Sequence, residues 1–143
     1  MGEKIDRLPD LVKTIADERL EYPSTPDPVI SSAVLSVSIG EASQWMTHPV
    51  PAYLYVLEGA LTVEFEDGRQ YEFQEGEAFL QCRTMWHRGR NFGSKPTKFL
   101  AVFMGSKSVP YILHPPKEGA GAHGRIGSAE IASRRLVKGA AGA

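Results

Sequence analysis

The chain has 143 residues, of which 42% are hydrophobic and 23% charged, and it carries a formal net charge of −1. That is one domain of ordinary size with enough apolar content for a full core. The near-zero charge gives no electrostatic case for nucleic acid or a membrane surface, and a single cysteine, Cys82, excludes an internal disulfide. No apolar run approaches the roughly 20 residues of a membrane span. The first residues, Met1 to Asp6, lack the apolar stretch of a signal peptide. A cytoplasmic location is the expectation.

Residues 7–20 predict a short amphipathic helix, because Leu8, Leu11, Val12, Ile15 and Leu20 recur at helical spacing. Pro9 is acceptable in its first turn. Pro23, Pro26 and Pro28 then exclude its continuation and form an arm up to residue 31. From residue 32 the period becomes two. Ala33, Leu35, Val37 and Ile39 alternate with Val34, Ser36 and Ser38, and Leu61, Val63 and Phe65 alternate with Thr62, Glu64 and Glu66. Asp67-Gly68 signals a hairpin turn into Arg69–Phe73. Phe99 to Met104 is apolar on both faces, as expected of a strand covered on both sides. Short strands at this spacing predict an all-β sandwich or barrel over residues 32–114. The tail, 115–143, begins with a Pro- and Gly-rich linker. Ser128–Lys138 predicts one short helix with Ser128 as N-cap, so the tail is partly helical or irregular.

Two histidines stand inside a grid of glycines. Gly40 precedes His48 and Gly59 follows it. Gly76 precedes His87 and Asn91 follows it. These spacings fit two known motifs. One reads Gly, five residues, His-x-His, three or four residues, Glu, six residues, Gly. The other reads Gly, five residues, Pro-x-Gly, two residues, His, three residues, Asn. The chain therefore resembles a single-domain cupin (cupin type 2, RmlC-like). The resemblance covers about residues 33–105 and implies a double-stranded β-helix, a jelly-roll barrel of six to eight strands. It also implies a metal held by three histidines and a glutamate. The match is degenerate, because Met46 stands at the first histidine position, Ala52 at the glutamate, and Cys82 and Thr84 at the proline and inner glycine.

Strand parity puts Gln44, Met46 and His48 on one face, and Ala52, Leu54, Val56 and Glu58 on one face of the next strand. With the histidine side inward, as the resemblance implies, the expected ligand pocket is Gln44, Met46, His48, Ala52, Leu54 and His87, with Cys82, Met85, Ala101 and Phe103 as further walls. Of the family's metal ligands only His48 and His87 carry over. Ala52 offers no donor, and the Met46 thioether suits Cu(I) better than Fe(II) or Mn(II). The expected cofactor is either none or a weakly bound divalent metal (Zn, Cu, Ni, Mn or Fe) on His48 and His87. Without metal, the two imidazoles are expected neutral and hydrogen-bonded to each other, to Gln44 or to water. Near neutrality they remain available for acid–base work or for holding a ligand.

Other residues read more simply. Cys82 reads as a small buried hydrophobe rather than a nucleophile. Arg83, Arg88 and Arg90 either guide an anionic ligand or form a solvated loop face. His114 and His123 read as loop residues, and Glu58 as a turn residue. The function expected is a small-molecule-binding cupin protein with a reduced metal site. The alternatives are a metal-dependent cupin enzyme (dioxygenase, isomerase or lyase) and a structural dimer module. A homodimer is expected from the apolar N-terminal stripe and the outward row Tyr53, Tyr55 and Leu57.

Overall fold

A computed structural model describes residues 2–116 and 130–131. Nine strands follow one another: β1 (Pro28–Val37), β2 (Ala52–Glu58), β3 (Ala60–Phe65), β4 (Gln70–Gln74), β5 (Ala78–Leu80), β6 (His87–Arg90), β7 (Thr97–Ser106), β8 (Leu113–His114) and β9 (Glu130–Ile131). All pairings between them are antiparallel. One sheet runs β1-β7-β2-β5, a second runs β4-β3-β6, and β8 pairs with β9. This is the all-β architecture that the alternation predicts and the jelly roll that the cupin resemblance implies.

The alternation decides which side chains fill the space between the sheets. Leu35 and Val37 of β1, Ala52, Leu54 and Val56 of β2, and Leu61, Val63 and Phe65 of β3 are buried in one cluster with Phe99, Ala101 and Phe103 of β7. The β7 residues between these last three, Leu100, Val102 and Met104, are only half-buried, so β7 is less completely covered than its composition predicts. Ile39 falls in the turn after β1 and is exposed, ending the predicted alternation at Val37.

Turns fix the register. Gly40, Gly59 and Gly76 all have positive φ, at 79°, 76° and 87°. At Gly59 a side chain is doubly excluded, because a Cβ would lie 2.6 Å from the Pro96 carbonyl oxygen. The Asp67-Gly68 hairpin forms as predicted, with Gly68 at φ 94° and its N–H donating to the Phe65 carbonyl at 2.9 Å. Asn91 is buried and structural. Its amide donates to the Val37 and Lys95 carbonyls at 2.9 Å each, and its oxygen accepts the Gly93 N–H at 2.8 Å.

The predicted N-terminal helix is not present. Among the described residues there is no helix, and residues 13–19 form a tight turn with a bridge between Lys13 and Arg19. The reason is local competition followed by docking. The Thr14 hydroxyl accepts the Ala16 and Glu18 N–H groups at 3.1 Å each, a pattern that replaces helical hydrogen bonds. Asp17 adopts a left-handed φ of 68°. The Ile15 N–H then donates to the Leu80 carbonyl at 3.0 Å, beside β5. The predicted tail helix over 128–138 lies mostly outside the described residues; the part described, Glu130–Ile131, is a strand, because it pairs with Leu113 and His114.

Candidate functional site

Met46 and His87 form a mutual backbone pair, each N–H donating to the other's carbonyl at 2.9 Å. Paired residues on adjacent strands point to the same face, so His87 enters the barrel beside Met46, and His48 joins it two residues on. The two imidazole Nε2 atoms lie 3.1 Å apart, with ring centroids 4.9 Å apart. Both side chains are buried, at 3% and 2% exposure. Phe103 flanks His48 at 5.1 Å between ring centres, and Phe65 flanks His87 at 6.5 Å.

The outer nitrogens favour one tautomer. His48 Nδ1 lies 2.9 Å from the Tyr111 carbonyl, and His87 Nδ1 lies 3.2 Å from the Met85 carbonyl. A carbonyl only accepts, so each Nδ1 carries the hydrogen. In neutral rings both Nε2 atoms are then bare acceptors, and they face each other. Burial pushes the pKa of both imidazoles down, His48 to about 4, with His48 adding to the effect at His87. The rings are therefore neutral at neutral pH, and in that tautomer their Nε2 lone pairs oppose each other across 3.1 Å.

They face a cavity of about 30 Å³, room for about two waters. Met46, His48, Leu54, His87, Ala101 and Phe103 line it, as expected, together with Leu35, Ser43, Leu61, Val63, Gln81, Arg88, Gly89 and Phe99. Sequence parity missed Ser43 and Gln81. The Gln81 carboxamide oxygen accepts the Cys82 N–H at 2.9 Å, leaving its NH2 end as the donor of the lining. Gln81 follows directly after β5, its N–H donating to the Ala52 carbonyl at 2.9 Å, and no periodic signal marks it.

A family model described as a cupin domain matches residues 33–103. The chain belongs to the cupin family. No curated protein sequence matches it. A Bacillus halodurans protein of known structure is 23% identical over 71% of this chain and 70% of its own, with a TM-score of 0.49. A Klebsiella pneumoniae protein with a double-stranded β-helix domain is 18% identical over 59% of this chain and 83% of its own, with a TM-score of 0.50. A Bacillus subtilis oxalate decarboxylase is 27% identical, but the match takes in 54% of this chain and only 22% of that enzyme, at a TM-score of 0.49.

Against the ligand set of other cupins, this site fits a metal only in part. Two Nε2 atoms at 3.1 Å match the span of neighbouring ligands at metal–nitrogen lengths of about 2.0–2.1 Å. Beyond them the lining offers the Met46 thioether, which suits a soft ion. Among the described residues no cluster of three or more His, Cys, Asp or Glu could hold an ion. Ala52 is buried in the core at 1% exposure and brings no carboxylate.

Four expected pocket residues are not part of the cavity lining. Gln44 is half-buried beyond it, and Ser43, in the same irregular stretch before β2, lines the cavity instead. Ala52 packs into the core, too short to reach the cavity. Met85 is partly buried, with its sulfur 3.6 Å from the Arg69 guanidinium. Cys82 turns toward the N-terminal segment, its thiol 3.7 Å from the Glu18 carboxylate. Burial, with Glu18 beside it, pushes that thiol up, against a nucleophilic role.

The arginines are committed to partners. Arg88 and Arg90 lie on β6 and donate to Glu64 at 2.9 and 3.3 Å, and they lie over the Trp45 and Phe92 rings. Arg83 donates to the Pro49 carbonyl at 2.6 Å. His114 is a strand residue whose Nδ1 donates to the Trp45 carbonyl at 2.9 Å, and His123 lies outside the described residues. Glu58 ends β2 on the surface, 3.8 Å from Lys98. No helix among the described residues is long and apolar enough to cross a membrane.

Proposed function

We propose that this protein is a small-molecule-binding cupin whose recognition group is the His48–His87 pair, working without a tightly held metal. The observation that supports this reading is the hydrogen bonding of the rings. Both Nδ1 atoms are spent on carbonyls, so both Nε2 atoms present lone pairs to one cavity. A guest there brings O–H or N–H groups to two acceptors, and the Gln81 amide answers an acceptor on the same guest. No cation in the lining is free for an anion, since Arg88 is paired with Glu64. A carboxylic acid therefore enters neutral or with a proton taken up by the pair. Nitrogen-15 spectra of the imidazoles test the reading. Both rings should be protonated on Nδ1, and a bound guest should shift the two Nε2 signals first. An Nε2-protonated neutral ring at either position would remove the basis for it.

A second reading is a metal-dependent cupin enzyme, favoured by the 3.1 Å separation of the two Nε2 atoms. His48 and His87 would hold the ion, and a bound ion polarises a substrate oxygen as a Lewis acid. The carbonyls of Tyr111 and Met85 would orient the ligating rings, as outer partners of metal-bound histidines do. Metal analysis of protein purified without chelator separates the readings. One equivalent per chain supports the enzyme, and none supports the metal-free site.

The partner proposed beyond the small molecule is a second copy of the chain. The outward side of the β1-β7-β2-β5 sheet exposes Ile30, Val34 and Leu57, with Tyr53 and Tyr55 half-buried between them. Exposed Ile5, Val12 and Tyr22 on the N-terminal segment add apolar surface. A self-complementary pairing would cover both.

A further inference from the structure

Residues 81–86, between β5 and β6, bring one residue, Gln81, to the cavity lining and also anchor His87. Gln81 lines the space, and the Met85 carbonyl accepts the His87 Nδ1–H at 3.2 Å. From inside the fold this loop is held by the segment that carries His48. The Thr47 hydroxyl donates to the Arg83 carbonyl at 3.1 Å, and the Arg83 guanidinium donates to Pro49. From outside it is held by one carboxylate from far away in sequence. Glu18 accepts the Arg83 N–H at 2.9 Å and the Thr84 hydroxyl, with the Cys82 thiol beside it.

The segment bearing Glu18 is a turn set against the barrel, not a strand of it. Thr14 braces the carboxylate at 2.8 Å. Among the described residues, the only backbone hydrogen bond from residues 13–19 to the barrel is that from Ile15 to Leu80. The cavity admits about two waters, and both histidines are almost fully buried. The 81–86 loop, which brings Gln81 to this cavity, is braced from outside by a segment whose detachment breaks no sheet and unpacks only Ile15 and Ala16 from the core cluster.

We propose that residues 13–19 are a latch on the loop that carries Gln81 and the Met85 carbonyl to the His48–His87 cavity, with Glu18 as its catch and positioning residue. The proposal rests on the reading of that pair as the binding site, but its test does not depend on any guest. Diethyl pyrocarbonate modifies neutral imidazoles that solvent reaches, and mass spectrometry assigns the modified residue. Glu18→Ala should raise the modification rates of His48 and His87 about tenfold, the factor for losing one set of charge-assisted hydrogen bonds. Amide exchange at Arg83 and Met85 should rise with them, while Phe99 to Phe103 on β7 keep wild-type protection. Glu18→Gln keeps an acceptor oxygen and should fall in between. Unchanged modification in Glu18→Ala overturns the latch. So does a rise matched by equal loss of protection along β7, because that is global loosening. If Glu18→Ala fails to fold, Thr84→Val removes a single donor and carries the same test at smaller amplitude. Imidazole modification reads the loop whether or not a guest binds, so failure of the binding reading and failure of the latch are separate results.

Discussion

Two polar clusters lie on either side of the loop between β5 and β6, and they are built on opposite logic. Outside, one carboxylate, Glu18, meets a set of donors from Thr14, Arg83 and Thr84. Burial alone would raise its pKa, yet the hydrogen bonds outweigh burial and hold it below the usual carboxylate value. Inside, two bases meet each other. Their donors are already spent, and burial lowers both pKa values. The outer cluster is saturated and serves the structure. The inner cluster is short of a donor, and a buried group short of a partner marks a place where a guest gains binding energy.

The largest expected effect comes from giving the inner cluster the charge it lacks. Met46→His with Ala52→Glu should convert an absent or weak Mn(II) or Fe(II) response into binding measurable by titration calorimetry. Ala52→Glu alone, metal-free, should destabilise by about 3 kcal/mol or more, because it buries an unpaired carboxylate. No gain in affinity from the double variant would show that position 52 cannot serve the histidines.

Acid should reach the inner cluster first. The folded pKa of His48 is depressed from 6.5 to about 4, so between those values the unfolded chain binds more protons than the folded one. Stability is therefore fully present above about pH 6.5 and falls as the pH drops toward 4. The loss from His48 alone is about 3 kcal/mol, and His87 acts in the same direction. Urea midpoints across this range measure it. His48→Gln should flatten the curve, and an equally steep curve in that variant would place the titration elsewhere.

The outer cluster should respond less. Glu18→Ala should cost about 1–2 kcal/mol at neutral pH, the loss of hydrogen bonds to one partly buried charge. Because its folded pKa is depressed, that contribution is present above the unfolded value of 4.5 and fades as the pH falls below it. The difference between Glu18→Ala and wild type should therefore narrow in acid, which the same urea series reads. The last effect is on mass rather than stability. Light scattering at micromolar concentration should give twice the 15.7 kDa chain, and a Val34→Asp variant on the exposed face should shift it toward one. A single-chain mass for wild type at every concentration ends the dimer proposal.

How far the sequence reached differs between these clusters. Period-two alternation selected Leu35, Val37, Leu61, Val63 and Phe65 for the core, and the motif spacing brought His48 and His87 into one space. The N-terminal apolar residues were misread as a helix. Helical spacing measures only which residues are apolar, whereas the Thr14 hydroxyl and the edge of β5 compete for the same backbone groups. Gln81 and Ser43 were missed because both lie outside the strands, Gln81 directly after β5 and Ser43 in the irregular stretch before β2, where period-two parity does not apply.

The sequence by itself determined the barrel and its turns, which rest on local periodicity and glycine at positive φ, and the resemblance to the cupin motifs implied the meeting of two histidines. Only the tertiary structure decided the state of that meeting. The Tyr111 carbonyl and the Glu18 carboxylate each come from more than 60 positions away in the chain from the groups they hold. They fix a tautomer and a loop, and interactions between such distant segments exist only once the chain has closed on itself.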